Sequence, residues 1–416
     1  MKPSVFILFL IFYYPAFCFG QIRIEDCYAK AKANYPLIKQ YGLIEKSKDY
    51  NLSNAGKGYL PQFQLSAKAT YQSEVTEIPV NIPGVEGLHK DQYSVTLDLD
   101  QTIWDGGVIG SKRNAIKTQA EVDQKNIDVT MYSINESINQ LFFSILLYDA
   151  MLEQNVLYQK ELQRNYDQIT AYINNGIANQ SDRDVIKVEQ LKAKQNQSQL
   201  RHDKQAFMQM LSAFIGERIT ENAVLQKPEI HSYLLLDINR PELELYDAQS
   251  RNMDAMRKEI KAGLMPKLGV FLTGGYGRPG LNMLENEFSA YYIGGVRLTW
   301  KFGGLYTRKN DLRVIETNQE SIRTRRETFM FNTNLEATQK NSNIRKLNEV
   351  LASDDDIVTL RGSIKHSAEV KVHNGTMSVT DYMREVIAEQ MAKQDKITHE
   401  LELIQAIYNL KYITNN

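Results

Sequence analysis

The chain has 416 residues, 43% of them hydrophobic and 24% charged, so it holds enough apolar surface for a folded core and is not disordered by composition. Its net charge of -1 argues against a polyanion partner, because nucleic-acid binding relies on many Lys and Arg side chains neutralising phosphates. The six histidines show no metal-ligand spacing and no Ser/His/Asp or Cys/His arrangement is present, so no metal, no cofactor and no catalytic activity are expected.

In chain order, the first signal is a targeting segment. Lys2 precedes a mostly apolar run from Val5 to Phe19 that ends in Gly20 before polar Gln21. The run is too short for a spanning helix and reads as a cleaved secretory signal over residues 1–20. Its removal leaves Cys27 as the sole cysteine, so no internal disulfide is expected. No later stretch reaches the roughly 18 consecutive apolar residues of a transmembrane helix, so any membrane entry must be by strands.

Two such strands follow. In "QFQLSAKATY", Phe63, Leu65, Ala67, Ala69 and Tyr71 alternate with polar residues, and in "DQYSVTLDLDQTIWDGG" Tyr93, Val95 and Leu97 alternate with Ser94, Thr96 and Asp98. This period of two gives each strand one apolar and one polar face. The spacing predicts a β-hairpin over about 62–104.

No proline falls between Pro83 and Pro228, and between Gly110 and Gly216 the only glycine is Gly176. Proline costs about 3 kcal/mol inside a helix, so this gap admits a very long one. Within it Ile134, Ile138, Leu141, Ile145, Tyr148 and Leu152 form a heptad seam, which Phe142 and Leu146 widen enough to face two neighbours. Residues 111–174 as one helix would run on the order of 95 Å.

The pattern then repeats. After a connector at 217–240, the chain again reads helix, hairpin (about 267–302), long proline-free helix, glycine break and shorter helix. In the second hairpin Leu268, Val270 and Leu272 share one face, and Tyr292, Val296, Leu298, Trp300 and Phe302 share another. "NNGIANQSDRDVIKVEQLKAKQ" matches "HNGTMSVTDYMREVIAEQMAKQ" at an offset of 199 residues, aligning Gly176 with Gly375, Ser181 with Thr380 and Asp182 with Asp381. An internal duplication accounts for this, with 21–216 as the first repeat and 241–416 as the second.

Four strands cannot close a membrane barrel, whose smallest members have about eight, and an open edge is not tolerated in lipid. Three copies supply about twelve strands, enough for a lumen wetted by the polar faces. The alternative from period alone is a half-buried sheet in a soluble periplasmic protein, such as a coiled-coil adaptor or a structural rod.

The order of these motifs resembles the TolC family of outer-membrane efflux and secretion channels. The segments that carry the resemblance are "YLPQFQL", "IWDGG", "NRPEL", "MPKLGVFLTGGYG", "WKFGG" and the two glycine-to-aspartate stretches. It implies a mainly α fold with membrane β-structure. A long coiled-coil α-helical barrel would cross the periplasm, beneath a 12-stranded transmembrane β-barrel shared by three protomers with four strands each. The connector and chain ends would form a belt around the tunnel.

By that resemblance the protein is the exit duct of a tripartite efflux pump or type I secretion system. It would sit in the outer membrane of a Gram-negative bacterium and extend into the periplasm. Its expected partners are a second and third copy, outer-membrane lipid, a periplasmic adaptor and an inner-membrane transporter of RND or ABC type. Phe63, Leu65, Tyr93, Val95, Leu97, Val296, Leu298 and Trp300 would face lipid. The turns at Gly176 and Gly375 would lie at the periplasmic tip, where adaptors dock. Ser181, Asp182, Thr380 and Asp381 would line or latch the entrance, although Ser/Thr-Asp pairs in a first turn also serve as helix caps. Arg384, three residues after Asp381, can pair with it and weaken a carboxylate ring.

Overall fold

The computed structural model describes residues 21–76, 87–176, 178–221, 223–229 and 237–415. The expected signal peptide at 1–20 lies outside the described residues, as do parts of the connector and of the first hairpin's loop. The described elements are helices α1 (Ile24–Asn34) and α2 (Lys39–Gly56), strands β1 (Gln62–Tyr71) and β2 (Asp91–Trp104), and helices α3 (Val108–Asn174) and α4 (Gln180–Ile215). Then come α5 (Pro241–Gly263), β3 (Lys267–Arg278), β4 (Ser289–Thr299), α6 (Gly304–His373) and α7 (Val379–Thr414). The two proline-free gaps hold helices of 67 and 70 residues, and α4 and α7 are 36 residues each.

The compact units of the chain do not coincide with its sequence repeats. One unit combines residues up to Ile38, Met131–Asn239 and everything from Thr333; the other combines Lys39–Thr130 with Arg240–Asn332. Each takes part of both repeats, because α3 and α6 contribute to both.

In the first unit the heptad seam of α3 is the core. Ile134, Ile138, Leu141, Phe142 and Ile145 are buried, and so is Phe143, which the seam omits. The Phe143 ring meets Tyr408 of α7 at 5.3 Å. α1 adds Ile24, Cys27 and Ala31 to this interior. Two polar contacts come inside with it: Tyr28 donates its hydroxyl proton to the fully buried Asn139 Oδ1, and Tyr408 donates to Glu25 Oε1 at 3.1 Å. Ile22 N–H donates to Val224 O at 3.0 Å, and Asn239 N–H to Thr414 O at 2.8 Å, so the residue before α1 and the end of α7 are both tied to the connector.

The second unit has a thinner core, centred on Val122 of α3 against Leu245 and Ala248 of α5. Polar ties supplement it: Tyr41 to Asp128, Lys125 to both Asp128 and Glu244, and Arg251 to Glu121 at 2.6 Å. Its other feature is the sheet, which positions the candidate site.

Candidate functional site

The sheet is antiparallel in the order β1-β2-β3-β4. Its register aligns the apolar residues of all four strands. Leu65 faces Leu97 on β2, Val95 faces Tyr276 on β3, and Val270 faces Val296 and Leu268 faces Leu298 on β4. A one-residue slip in any pair would scatter them. This apolar face is the exposed one: Leu65 is 72% and Val296 70% exposed, and Phe63, Tyr93, Leu97, Tyr292 and Leu298 are likewise exposed. Contiguous apolar patches of this kind mark a surface made for something other than water.

The opposite face carries Gln64, Ser66, Lys68, Ser94, Thr96, Asp98, Asp100, Thr273, Arg297 and Thr299, in register across the strands. Thr273 Oγ1 donates to Asp98 Oδ1 at 2.5 Å, and Arg297 pairs with Asp100 at 3.1 Å while its guanidinium lies 4.4 Å from the Phe271 ring. Phe271, Tyr291 and Ile293 interrupt this polar face; alternation alone does not reveal them. The sheet is thus inverted relative to one in a soluble domain. Its edges, β1 and β4, have no further strand beside them among the described residues.

Trp300 differs from expectation. β4 ends at Thr299, so Trp300 lies just beyond the strand. Its indole Nε1 donates to Leu264 O at 3.0 Å and its ring meets Phe302 at 4.8 Å, fixing the junction between sheet and helices instead of extending the strand. Tyr59, Trp104 and Phe302 are likewise exposed at the helix-proximal end of the sheet. Tyr71, Tyr276, Phe288 and Tyr292 are exposed toward the far end, where the Tyr276 and Phe288 rings stack at 5.7 Å. Two aromatic girdles flank the apolar band of membrane strands.

At the same junction Asp105 of "IWDGG", 3% exposed, lies three residues before the start of α3. It accepts from Gly107 N at 2.9 Å, Ile109 N at 2.5 Å and Tyr59 OH at 3.1 Å. Burial alone would raise this carboxyl, yet those donors hold it below the usual aspartate range. In sequence, an Asp shortly before a helix is the signal for such a contact with its first free N–H groups.

The second glycine break is a Schellman turn, and the first shares its bond from the glycine N–H. Gly176 and Gly375 have φ of +73° and +70°, and each donates its N–H three residues back, to Ile173 O and Val372 O, both at 3.0 Å. In the second turn Thr376 N–H also reaches Lys371 O at 2.9 Å. A Cβ at either glycine would meet nothing, so Gly176→Ala and Gly375→Ala should each cost only the left-handed backbone penalty, about 1–2 kcal/mol. Gly106 is different: at φ +70° its Cβ would fall 2.4 Å from Met265 Cβ. Gly106→Ala should therefore destabilise the second unit well beyond either turn variant, as denaturant midpoints of the three would register.

Both aspartates expected at the entrance sit three residues past a helix cap. Asn179 caps α4: its Oδ1 accepts from Asp182 N at 3.2 Å, while Asp182 Oδ2 accepts from Asn179 N at 3.0 Å. In α7 the Ser378 Oγ accepts from Asp381 N at 3.1 Å and donates to Asp381 Oδ2 at 2.7 Å. The cap residues are thus Asn179 and Ser378, not Ser181 and Thr380. Ser181 donates to Asn179 Oδ1 at 2.7 Å, and Thr380 is exposed. Arg384 pairs with Asp381 at 2.9 Å, as its spacing predicts. The turns are joined by Tyr172 and His373, whose hydroxyl and Nδ1 lie 2.6 Å apart.

Behind the turns, four helices share one core: Leu162 and Ile169 of α3, Ile186 of α4, Val372 of α6, and Met383 and Val386 of α7. Beside it lies an ion cluster that nothing local in the sequence marks. Lys365 of α6 bridges Glu161 of α3 at 2.6 Å and Glu389 of α7 at 2.7 Å, and Lys393 adds a second cation to Glu389 at 2.9 Å. Asp354 is buried and pairs with His399 at 2.9 Å.

Long helices joined to a four-stranded antiparallel sheet with an exposed apolar face make a fold that is also found in solved outer-membrane channels. The chain resembles the outer-membrane channel OprN with a TM-score of 0.70 at 13% identity, over 94% of this chain and 89% of that one. It resembles the outer membrane protein VceC of Vibrio cholerae at 0.69 and 13%, over 94% and 96%, and the open-state MtrE outer membrane channel of Neisseria gonorrhoeae at 0.66 and 12%, over 95% and 89%. No curated protein matches the sequence. Residues 27–217 match the family model described as outer membrane efflux protein.

Proposed function

We propose that the protein is the outer-membrane exit duct of an export assembly, conducting cargo passively from a periplasmic adaptor and an inner-membrane transporter to the outside. One observation carries the reading. The exposed face of the sheet is apolar, the opposite face is polar, and one chain leaves both sheet edges open. Lipid offers backbone groups no hydrogen bonds, so the edges must pair with other copies. Three copies make a barrel of about twelve strands, with Leu65, Leu97 and Val296 toward lipid and Ser66, Thr96 and Asp98 toward water.

The long helices support the same assembly. α6 exposes Phe331, Leu335, Leu360 and Ile364, apolar groups suited to an adjacent copy. The alternative of a soluble adaptor or rod leaves the inverted sheet without a purpose. The test is fractionation and conductance: a heat-modifiable oligomer in the outer-membrane fraction that opens pores in lipid bilayers supports the duct. A freely soluble monomer that leaves liposomes sealed overturns it.

In this reading the Gly176 and Gly375 turns face the adaptor, and Ser181, Asp182, Thr380 and Asp381 line the entrance. Cross-linking to a co-expressed adaptor from cysteines at Asn175 and Asn374 checks the first point. For the second, Arg384 offsets the Asp381 carboxylate, so divalent cations should block the wild-type pore weakly. Arg384→Ala should tighten that block roughly tenfold for each charge removed at about 6 Å from a divalent ion in water. A bilayer titration with strong wild-type block, or none gained in the variant, counts against the entrance assignment.

A further inference from the structure

The positive charge of the polar wall is not spread evenly. Lys267 opens β3, Arg297 lies near the end of β4 and Lys301 just follows it, and these three line one hollow of about 490 Å³ with Asp100, Thr102 and Thr299. The hollow exists because Gly269 forms its floor. That residue pairs with Arg297 on one side and Thr102 on the other, and it places no side chain between them. A Cβ there would lie 2.9 Å from Gln101 O, so the close backbone approach keeps the position glycine.

Within the hollow three cations meet one carboxylate. Arg297 is held by Asp100 and by the Phe271 ring beneath its guanidinium. Among the described residues Lys267 and Lys301 form no ion pair, so their charge is uncompensated. Farther along the wall Lys68, two positions along β1 from Ser66, stands at the other end of the sheet, and Asp98 adds a second carboxylate between the two ends. The excess is therefore local to the helix-proximal end.

We propose that this hollow is an anion-binding station of the duct, taking small-molecule cargo that bears phosphate or carboxylate groups. The inference rests on the duct reading, which places the polar faces around a shared lumen. There, three copies would form a cationic ring, and rings of Lys and Arg favour anion passage. A confined positive lining also raises the local anion concentration. The two hydroxyls, Thr102 and Thr299, supply neutral donors to an oxyanion beside the cations.

The test uses pyrophosphate as probe on the full-length oligomer, in about 0.1 M salt, where charges act over about 10 Å. Calorimetric titration in detergent should show binding that Lys267→Glu with Lys301→Glu weakens at least tenfold. In bilayers pyrophosphate should reduce the current, and the same pair should raise the blocking concentration by a similar factor. Lys68→Glu should change both by less than twofold. Lys267→Gln with Lys301→Gln, which only neutralises the site, should fall between, and heat-modifiability reports that each variant is assembled. Binding that the double variant leaves intact, or that Lys68→Glu weakens equally, overturns the station while pores still conduct. Absence of any pore from assembled oligomers overturns the duct reading itself.

Discussion

Lys365→Met should destabilise the first unit by about 3 kcal/mol, and the loss should shrink as the solution is made mildly acidic. Lys365 is 17% exposed and its partners Glu161 and Glu389 are 14% and 7%. Removing one member of a buried ion cluster leaves uncompensated charge, at a cost of about 3–5 kcal/mol. The lower figure applies because Lys393 still faces Glu389.

The pH dependence follows from the shifts. In the wild type burial works against both charges, but the bonds from Glu161 and Glu389 hold Lys365 above the usual lysine range, and Lys365 and Lys393 hold Glu389 below the usual glutamate range. The raised lysine stabilises below its unfolded pKa of about 10.4 and is lost as pH rises through its folded value. The lowered glutamate stabilises above about 4.3 and is lost as pH falls through its folded value. The cluster's contribution is therefore flat across neutrality. Without the lysine, Glu161 is left half-buried with its cation removed, so mild acid, which neutralises carboxylates, should relieve part of the loss. Thermal denaturation at several pH values separates the slopes. Glu161→Gln placed in the Lys365→Met background should recover much of the loss and abolish the acid gain. A Lys365→Met variant with a wild-type slope would show that the cluster is solvated.

Two adjacent residues of β1 should respond in opposite ways to the same substitution. Leu65→Arg puts a guanidinium on the apolar face near the middle of the strand, and Ser66→Arg puts it on the polar face. An arginine at mid-bilayer costs about 2–4 kcal/mol per copy in a membrane barrel, while lumen substitutions tune conduction with little effect on stability. Leu65→Arg should sharply lower the yield of heat-resistant oligomer in the outer-membrane fraction; Ser66→Arg should leave it near wild type and change conductance. A soluble protein would reverse the ranking, since Leu65 would be an exposed apolar residue that arginine improves. Equal yields would remove the lipid-facing assignment.

Most of the architecture could be read because it rests on local rules. The absence of proline between Pro83 and Pro228 and after Pro279 locates α3 and α6, and period-two alternation locates β1 to β4. Gly176 and Gly375 mark the turns through a backbone angle that other residues resist. What stayed hidden depends on positions that meet only in three dimensions. Lys365 and Glu161 lie 204 residues apart, so no helical periodicity relates them. Phe143 falls outside the heptad seam because α7 covers that side of α3, and Asp354 is buried for the same reason: His399 of α7 faces it. Asn179 and Ser378 were passed over as caps in favour of the hydroxyls that follow, since the exact first residue of a helix is the least certain part of any pattern.

Cys27 has a practical consequence. It lies on the buried face of α1, and burial pushes its thiol up to about 12. Maleimides and methanethiosulfonates react with the thiolate, which at pH 8 would be roughly one part in ten thousand of such a group. Spectroscopic or cross-linking tags introduced at single engineered positions should therefore modify those positions alone, without first replacing the native sulfur.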